Sequence, residues 1–214
     1  METIKTQIIE YIDQYILPIY SEKIKYKREH IDYVLRRSLF FANQIKSDDN
    51  NQSINIEMVY VIAAYHDIGE VDNRKTHELV GAKMLREDKF LQDNFTAEQI
   101  EVMAQAVEDH RASGKNEPRS IYGRIVATAD RLTNIDELMV LMYGYRTRYE
   151  TKISDIIEDA YAHLRDKFGE HGYSHRKLYF NDPEYDKFKS EAIILSKNKN
   201  AFVKRFSDAN GIKF

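Results

Sequence analysis

The stretch MVYVIAAYHDIGE, residues 58–70, decides the fold. Its first eight residues carry no charge, and His66 and Asp67 follow them at once. A helix that is apolar on nearly all sides belongs at the centre of a core, so the sequence predicts a buried helix from about Ile56 to Asp67. An imidazole beside a carboxylate at the end of such a helix costs free energy unless something binds both groups. We therefore predict a metal ion at this helix end.

The adjacent pair His66 and Asp67, the His-Asp doublet, also restricts where the ion can lie. Neighbouring residues on a helix point about 100° apart, so His66 and Asp67 reach one ion only if it lies beside the end of the helix. Gly69 is expected to provide that end in a left-handed cap. Other candidate ligands stand in comparable settings on other predicted helices: His30, His77, His110 and Asp130. Together they predict one metal centre assembled from several helices.

The composition narrows the class of protein. The chain has 214 residues, which is enough for a full hydrophobic core and more typical of one domain than of two. It has no cysteine, so disulfides and zinc fingers are excluded and His, Asp and Glu remain as metal ligands. The formal net charge of −3 gives no global attraction to nucleic acid or to an anionic membrane. No basic leader and no apolar run near the ~20 residues of a membrane span are present, so we expect a soluble, cytoplasmic protein.

The spacing of apolar residues predicts an all-α fold. Three prolines and eight glycines leave few obligate breaks, and apolar residues recur at intervals of three and four through most of the chain. Pro18 is expected to kink or end the first helix. The predicted helices cover about residues 3–20, 25–46, 56–67, a stretch from Thr76, then 96–110, 121–132, 154–168 and 183–195.

Capping residues support several of these helices. Thr76 is a candidate cap, and Thr96 with Gln99 predicts a capping box. Asp182 and Pro183 are typical of a helix start. The core face of the helix after Thr76 is predicted to consist of Leu79, Val80, Met84 and Leu85. The segment 169–181 is predicted to be a loop.

Three segments resemble the HD superfamily of metal-dependent phosphohydrolases, whose defining pattern is a histidine, a His-Asp doublet and a later aspartate. They are EHIDYVLRRS at 29–38, AAYHDIG at 63–69 and IVATADRL at 125–132. The resemblance covers about residues 26–134. It implies a single HD-type helical domain over 1–214, with an additional N-terminal helix and a C-terminal helical extension over about 142–214. It also implies that one ion takes His30, His66, Asp67 and Asp130.

A second resemblance concerns residues 77–85, HELVGAKML, which are similar to the His-x-x-x-Gly-Ala segment of the HD-GYP and phosphodiesterase branches. His110 stands where those branches keep another histidine. The resemblance implies a second ion held by Asp67, His77 and His110, with Asp67 bridging the two. HD-GYP domains have two histidines where residues 109–114 have one, and no Gly-Tyr-Pro motif follows, which argues against cyclic-di-GMP as the substrate.

The sequence itself leaves alternatives open for His77 and His110, the two histidines of the possible second ion site. His77 can be a first-turn helix residue without a ligand role, and an imidazolium at His110 can satisfy a helix C-terminus. One or two divalent ions are therefore expected. Mn²⁺, Fe, Zn²⁺, Ni²⁺ and Mg²⁺ all suit ligands of this kind.

Hydrolysis of a phosphate ester needs a nucleophile, neutralisation of phosphoryl charge and a proton for the leaving oxygen. A metal-activated water meets the first two needs. Glu70 stands three residues after Asp67, where several HD nucleotidases keep an acidic residue, and this resemblance implies that Asp67 and Glu70 are catalytic, with Glu70 orienting the water or moving its proton. Alternatively, Glu70 is a solvated loop acid. Arg37, two helical turns after His30, is predicted to hold a phosphate oxygen or to pair with a surface carboxylate. Further candidates for the phosphate are Lys83, Arg111 and Arg131.

These features predict a metal-dependent phosphohydrolase acting on a nucleotide or another small phosphorylated metabolite, without an organic cofactor. The alternative is a catalytically silent HD-type module that senses a ligand. The Tyr-, Arg- and Lys-rich segments 143–149 and 172–177 can contact nucleobases or form a solvated face. Only these clusters favour an RNA-associated enzyme, so neither nucleic acid nor a membrane is expected as a partner. The N-terminal amphipathic helix leaves a homodimer open.

Overall fold

The structure is a computed structural model that describes residues 4–24, 28–48, 53–111, 116–172, 174 and 178–213. Every regular element in this described part is helical, which confirms the all-α prediction. Contacts divide the chain into two compact units, Met1–Asp130 and Arg131–Phe214. The prediction that the whole chain is one domain with an extension stays a prediction. None of the described helices is long and apolar enough to cross a membrane.

The N-terminal segment is helical but not regular. Helix α1 covers Thr6–Tyr11, a π-helical turn covers Ile12–Ile16, and α2 covers Leu17–Glu22. Pro18 lies in the first turn of α2. Because a proline lacks the N–H and clashes with the carbonyl four residues earlier, the wider π turn before it accommodates the ring. The chain therefore stays helical past Pro18.

Helix α4, Ile56–Tyr65, confirms the predicted buried helix. It follows α3, Arg28–Asp48, whose predicted start at residue 25 lies outside the described residues. The side chain of Asn55 caps α4, and eight of its ten residues are buried. Tyr20 donates a hydrogen bond to the carbonyl of Ala64 at 2.7 Å. Burial raises the pKa of Tyr20 well above its ordinary value, so the phenol keeps its proton.

Gly69 permits a close contact between two backbone segments, and the predicted left-handed cap is wrong. It lies in a 3₁₀ turn, Ile68–Val71. Among the described residues the one glycine with positive φ is Gly211. A Cβ at Gly69 would overlap the carbonyl oxygen of His77 and lie 2.6 Å from the backbone nitrogen of Gly81. The missing side chain therefore lets the 3₁₀ turn lie directly on the helix that begins at His77.

Four helices complete the first unit: α5, His77–Glu87; α6, Lys89–Asn94; α7, Ala97–Asp109; and α8, Ile121–Ala129. The capping box of Thr96 and Gln99 at the start of α7 is confirmed. Thr76 precedes α5, but its side chain makes no capping hydrogen bond, so that predicted role is wrong.

The buried face of α5 agrees with the predicted one only in part. Leu85 is buried as predicted, Val80 and Met84 are half-buried, and Leu79 is 55% exposed. Gly81 and Ala82 are buried instead, because the backbones of the 3₁₀ turn and α5 approach closely at Gly81 and leave no room there for a large side chain.

The second unit consists of α9, Ile135–Arg146; α10, Ile153–Phe168; α11, Pro183–Lys197; and α12, Lys199–Asn210. The helix start at Asp182 and Pro183 is confirmed, since the Asp182 side chain accepts a hydrogen bond from the N–H of Tyr185. The unit has its own hydrophobic core with residues from all four helices. Helices α6, α9 and α12 were not predicted from the sequence.

Candidate metal centre

The first cluster of candidate ligands joins α3, the end of α4 and the end of α8. It consists of His30, His66 and Asp130, whose ligand atoms all lie within 4.8 Å of one another. Nε2 of His30 lies 3.1 Å from Oδ1 of Asp130 and 3.4 Å from Nε2 of His66. Nε2 of His66 lies 3.6 Å from the same carboxylate oxygen. Two imidazole nitrogens and one carboxylate oxygen therefore converge.

The second cluster lies beside the first and joins the 3₁₀ turn, α5 and the end of α7. It consists of Asp67, His77 and His110, all buried, again with ligand atoms within 4.8 Å of one another. Oδ1 of Asp67 lies 3.1 Å from Nε2 of His77 and 3.5 Å from Nε2 of His110. The two Nε2 atoms are 3.2 Å apart.

Asp67 connects the clusters with its two carboxylate oxygens. While Oδ1 faces the second cluster, Oδ2 lies 3.7 Å from Nε2 of His66 and 3.9 Å from Nε2 of His30. The residue has φ −109° and ψ 2°, a sparsely populated conformation at the turn that ends α4. Because the backbone leaves the helical conformation at Asp67, the side chains of His66 and Asp67 can both point towards the clusters.

Backbone carbonyls fix the orientation of three imidazole rings. Nδ1 of His66, His77 and His110 lies 2.7, 2.8 and 2.6 Å from a carbonyl oxygen. Each carbonyl belongs to the residue three positions earlier: Ala63, Arg74 and Val107. Because a carbonyl only accepts hydrogen bonds, each Nδ1 must carry the proton, and each Nε2 of a neutral ring presents a lone pair.

The donor set fits a divalent metal ion. Two Nε2 lone pairs at 3.2 Å, as in His77 and His110, repel each other unless a proton or a cation lies between them. Imidazole nitrogens and carboxylate oxygens are ligands that Mn²⁺, Fe²⁺, Ni²⁺ and Zn²⁺ accept. The Nδ1 bonds to backbone carbonyls are typical of histidines that bind metals.

The ligand candidates also shift the pKa values of one another. Burial favours neutral Asp130, but its hydrogen bonds with His30 and His66 outweigh burial and hold the pKa of its carboxyl well below the usual range. Burial lowers the pKa of His77, while its hydrogen bond and its ionic contact with Asp67 raise the pKa above the ordinary value. Asp130 is therefore ionised at neutral pH, and a proton on His77 competes with a metal ion.

Glu70 lies close to the second cluster, in the 3₁₀ turn after Asp67. Its side chain is only 10% exposed, and one carboxylate oxygen lies 3.8 Å from Nε of Arg74. Arg74, whose carbonyl orients His77, was not among the residues predicted from the sequence. The available signal was the spacing of four residues between an acid and a base.

Arg37 and Arg111 each lie beside one cluster. Nε of Arg37 donates to the carbonyl of Ala129, the residue before Asp130, at 3.3 Å. Arg111 donates to Glu78 at 3.0 Å, and the same Glu78 oxygen lies 3.7 Å from Nδ1 of His77. Both positions are compatible with the predicted contact to a phosphate, which stays a prediction.

The other two predicted phosphate contacts have different surroundings. Lys83 is 72% exposed and lies 3.8 Å from Glu87 on the same helix. Arg131 belongs to the second unit, where its guanidinium carbon lies 6.0 Å from the centre of the Tyr185 ring. For both residues the predicted contact with a phosphate stays a prediction.

The residues of both clusters lie within a segment that matches a known protein family. The HD domain model matches residues 29–135, half of the chain, and this range contains all six residues of the two clusters. No match was found among curated proteins or solved structures. The resemblance of residues 77–85 to the HD-GYP branch stays a prediction. HD domain proteins are in general hydrolases that bind divalent metals. The chain belongs to the HD domain family, within the superfamily of metal-dependent phosphohydrolases.

Proposed function

We propose that this protein is a metal-dependent phosphohydrolase that cleaves a phosphate ester of a nucleotide or another small phosphorylated metabolite. The main support is that two clusters of imidazole and carboxylate donors share Asp67 within the HD domain. Paired divalent ions recur in phosphatases and nucleases.

Each of the two clusters would bind one metal ion. His30, His66 and Asp130 would hold one ion, His77 and His110 the other, and Asp67 would reach both. When bound, such ions lower the pKa of a water molecule and neutralise charge on phosphoryl oxygens. The carbonyl bonds at Nδ1 would keep the rings oriented while substrate enters and product leaves.

We assign proton transfer to Glu70. Its backbone N–H donates to the Asp67 carbonyl at 3.0 Å, which ties its position to the residue that both clusters share. One carboxylate oxygen of Glu70 lies 3.8 Å from Nε of Arg74, a contact that helps to hold the side chain in place. An ionised Glu70 can take a proton from the attacking water and return it to the leaving oxygen.

Arg37 and Arg111 are the side chains that we assign to the substrate phosphate. A guanidinium can bind two phosphate oxygens at once, and it stays positively charged at every physiological pH. One arginine beside each cluster would place the phosphoryl group over both.

The proposal is tested by assaying the full-length protein, supplied in turn with each candidate divalent ion, on phosphomonoesters, phosphodiesters and nucleotides. Wild-type protein should hydrolyse at least one class. Asp67→Ala should reduce the rate by more than about a hundredfold, because it removes a ligand from both clusters. Asp93→Ala removes an exposed carboxylate on α6 and should keep the wild-type rate.

Equal background turnover by wild type and Asp67→Ala on every substrate would contradict an enzyme. Wild-type protein that binds metal but hydrolyses nothing would instead favour the ligand-sensing module.

A further inference from the structure

Helix α9 of the second unit has a buried face and an exposed apolar face. The buried face belongs to the core of that unit. The opposite face exposes 48% of Val140, 52% of Leu141 and 46% of Tyr145. Leu141 and Tyr145 are four residues apart and therefore neighbours on the helix surface, and Val140 lies at the edge of the same exposed face.

Gly144 lies inside this patch. A Cβ built at this position has nothing within 4 Å, so the backbone is open to contact. A glycine within a helix is destabilising relative to alanine. Close approach of another helix would explain a glycine at this position, because small residues let two helix backbones come near each other.

Opposite charges stand at the two ends of the patch. Glu137 and Arg148 are both exposed, and in the part of the chain that the structure describes neither side chain has an ion-pair partner. Eleven residues separate them, which is three helical turns and about 20°. The turn after α9 continues its winding, since the N–H of Glu150 donates to the Arg146 carbonyl at 2.9 Å. Both charges therefore lie on the exposed face.

We propose that this face binds α9 of a second copy of the chain in an antiparallel dimer with two-fold symmetry. The two-fold rotation exchanges the ends of the helix, so Glu137 of each copy meets Arg148 of the other. The interface then contains two ion pairs between residues that have no ion-pair partner among the described residues of their own chain. This is charge complementarity of the surface with itself, which an interface between identical surfaces requires.

The same rotation fixes where the central side chains meet. Its axis passes the helix at the height between residues 142 and 143, close to Leu141 and Gly144 of each copy. The two-fold rotation keeps equivalent residues on the same flank of the contact, so the Leu141 side chains of the two copies lie near each other, and Gly144 leaves room for the backbones to approach. The leucine contact and the two ion pairs share one centre, so a single helix crossing satisfies them together.

The patch is small, and the dimer should be weak. One helix face buries less than the ~800 Å² per partner of a standard interface. Association is therefore expected at micromolar chain concentrations, with rapid exchange between monomer and dimer.

Sedimentation equilibrium of the full-length chain over a series of micromolar concentrations tests the proposal. The mean mass should rise with concentration from 25.3 kDa towards twice that value. Leu141→Glu should weaken association at least about tenfold, because it places two like charges near the axis. The matched control, Leu79→Glu, changes a leucine on α5 that is 55% exposed and should leave the mass curve unchanged.

A charge swap makes the test specific for the antiparallel arrangement. Glu137→Arg alone and Arg148→Glu alone should each weaken the dimer, whereas the double variant should restore it, since the opposed charges again differ. Circular dichroism checks that each variant is folded. A wild-type chain that stays monomeric, or a dimer that neither Leu141→Glu nor the single charge variants weaken, would overturn the proposal, as would a double variant that is not restored.

Discussion

Gly69 has no room for a side chain, because the backbone of α5 fills the position where a Cβ would lie. Gly69→Ala should therefore push the 3₁₀ turn away from α5 and destabilise the fold by about 1–3 kcal/mol. Since the same displacement moves Asp67 away from His77, metal affinity should fall as well. Urea unfolding and a metal titration measure the two effects.

The same substitution at Gly144 should have the opposite effect on stability. This glycine is also helical, but a Cβ there meets nothing within 4 Å. Gly144→Ala should stabilise the monomeric chain by about 0.5–1 kcal/mol, measured by urea unfolding at low concentration. Equal destabilisation at both positions would show that packing at Gly69 is not the cause.

His77 should make metal stabilisation depend on pH. In the metal-free protein its raised pKa means that protonated His77 beside Asp67 stabilises the fold. This stabilisation is complete below the ordinary pKa of ~6.5 and is lost as pH rises through the raised value. Metal binding needs the neutral ring, so the gain in melting temperature on adding metal should be larger at about pH 8 than at about pH 6.

Two variants separate His77 from other histidines. His77→Gln should reduce both the metal-induced gain and its dependence on pH. His163→Gln changes a histidine of α10 outside both clusters and should leave the dependence intact. A metal effect that is the same at both pH values in wild type would contradict this role of His77.

At the residue scale, the sequence was sufficient to find all six members of the two clusters. The HD pattern is local, because each candidate ligand lies within a short motif. The carbonyl bonds at Nδ1 and the ion contact of Arg74 depend on backbone geometry, so residue types alone did not indicate them.

At the scale of single helices, the caps give a direct comparison. Thr96 accepts a hydrogen bond from the N–H of Gln99 at 3.2 Å, whereas Thr76 precedes α5 without such a bond. Thr96→Ala should destabilise the fold by about 1 kcal/mol. Thr76→Ala should change stability by less than about 0.5 kcal/mol. Equal costs in urea unfolding would contradict the assignment of the caps.

The same local signals explain which helices were predictable. α4 and α7 combine an apolar pattern with a clear start, and both were predicted. α12 was missed although its signals are present: Asn198 caps it, and Phe202 and Phe206 are buried one turn apart. The π-helical turn before Pro18 was not predictable, because a proline within a helix is compatible with an end, a kink or a wider turn.

At the scale of the whole molecule, all six ligand candidates belong to the first unit, and the second unit has a core of its own. Added metal should therefore slow hydrogen exchange most in the helix ends that carry the candidate ligands, those of α3, α4, α5, α7 and α8. The core amides of α10 and α12 serve as the internal control. Equal protection throughout both units would contradict binding at these clusters.

The most direct test of the account is anomalous diffraction from crystals of the full-length chain grown with Mn²⁺. We expect two peaks, one within bonding distance of His30, His66 and Asp130, and one within bonding distance of His77 and His110, with an Asp67 oxygen at each. Crystals that hold Mn²⁺ elsewhere, or at neither cluster, would contradict the central claim that these six side chains form a metal centre.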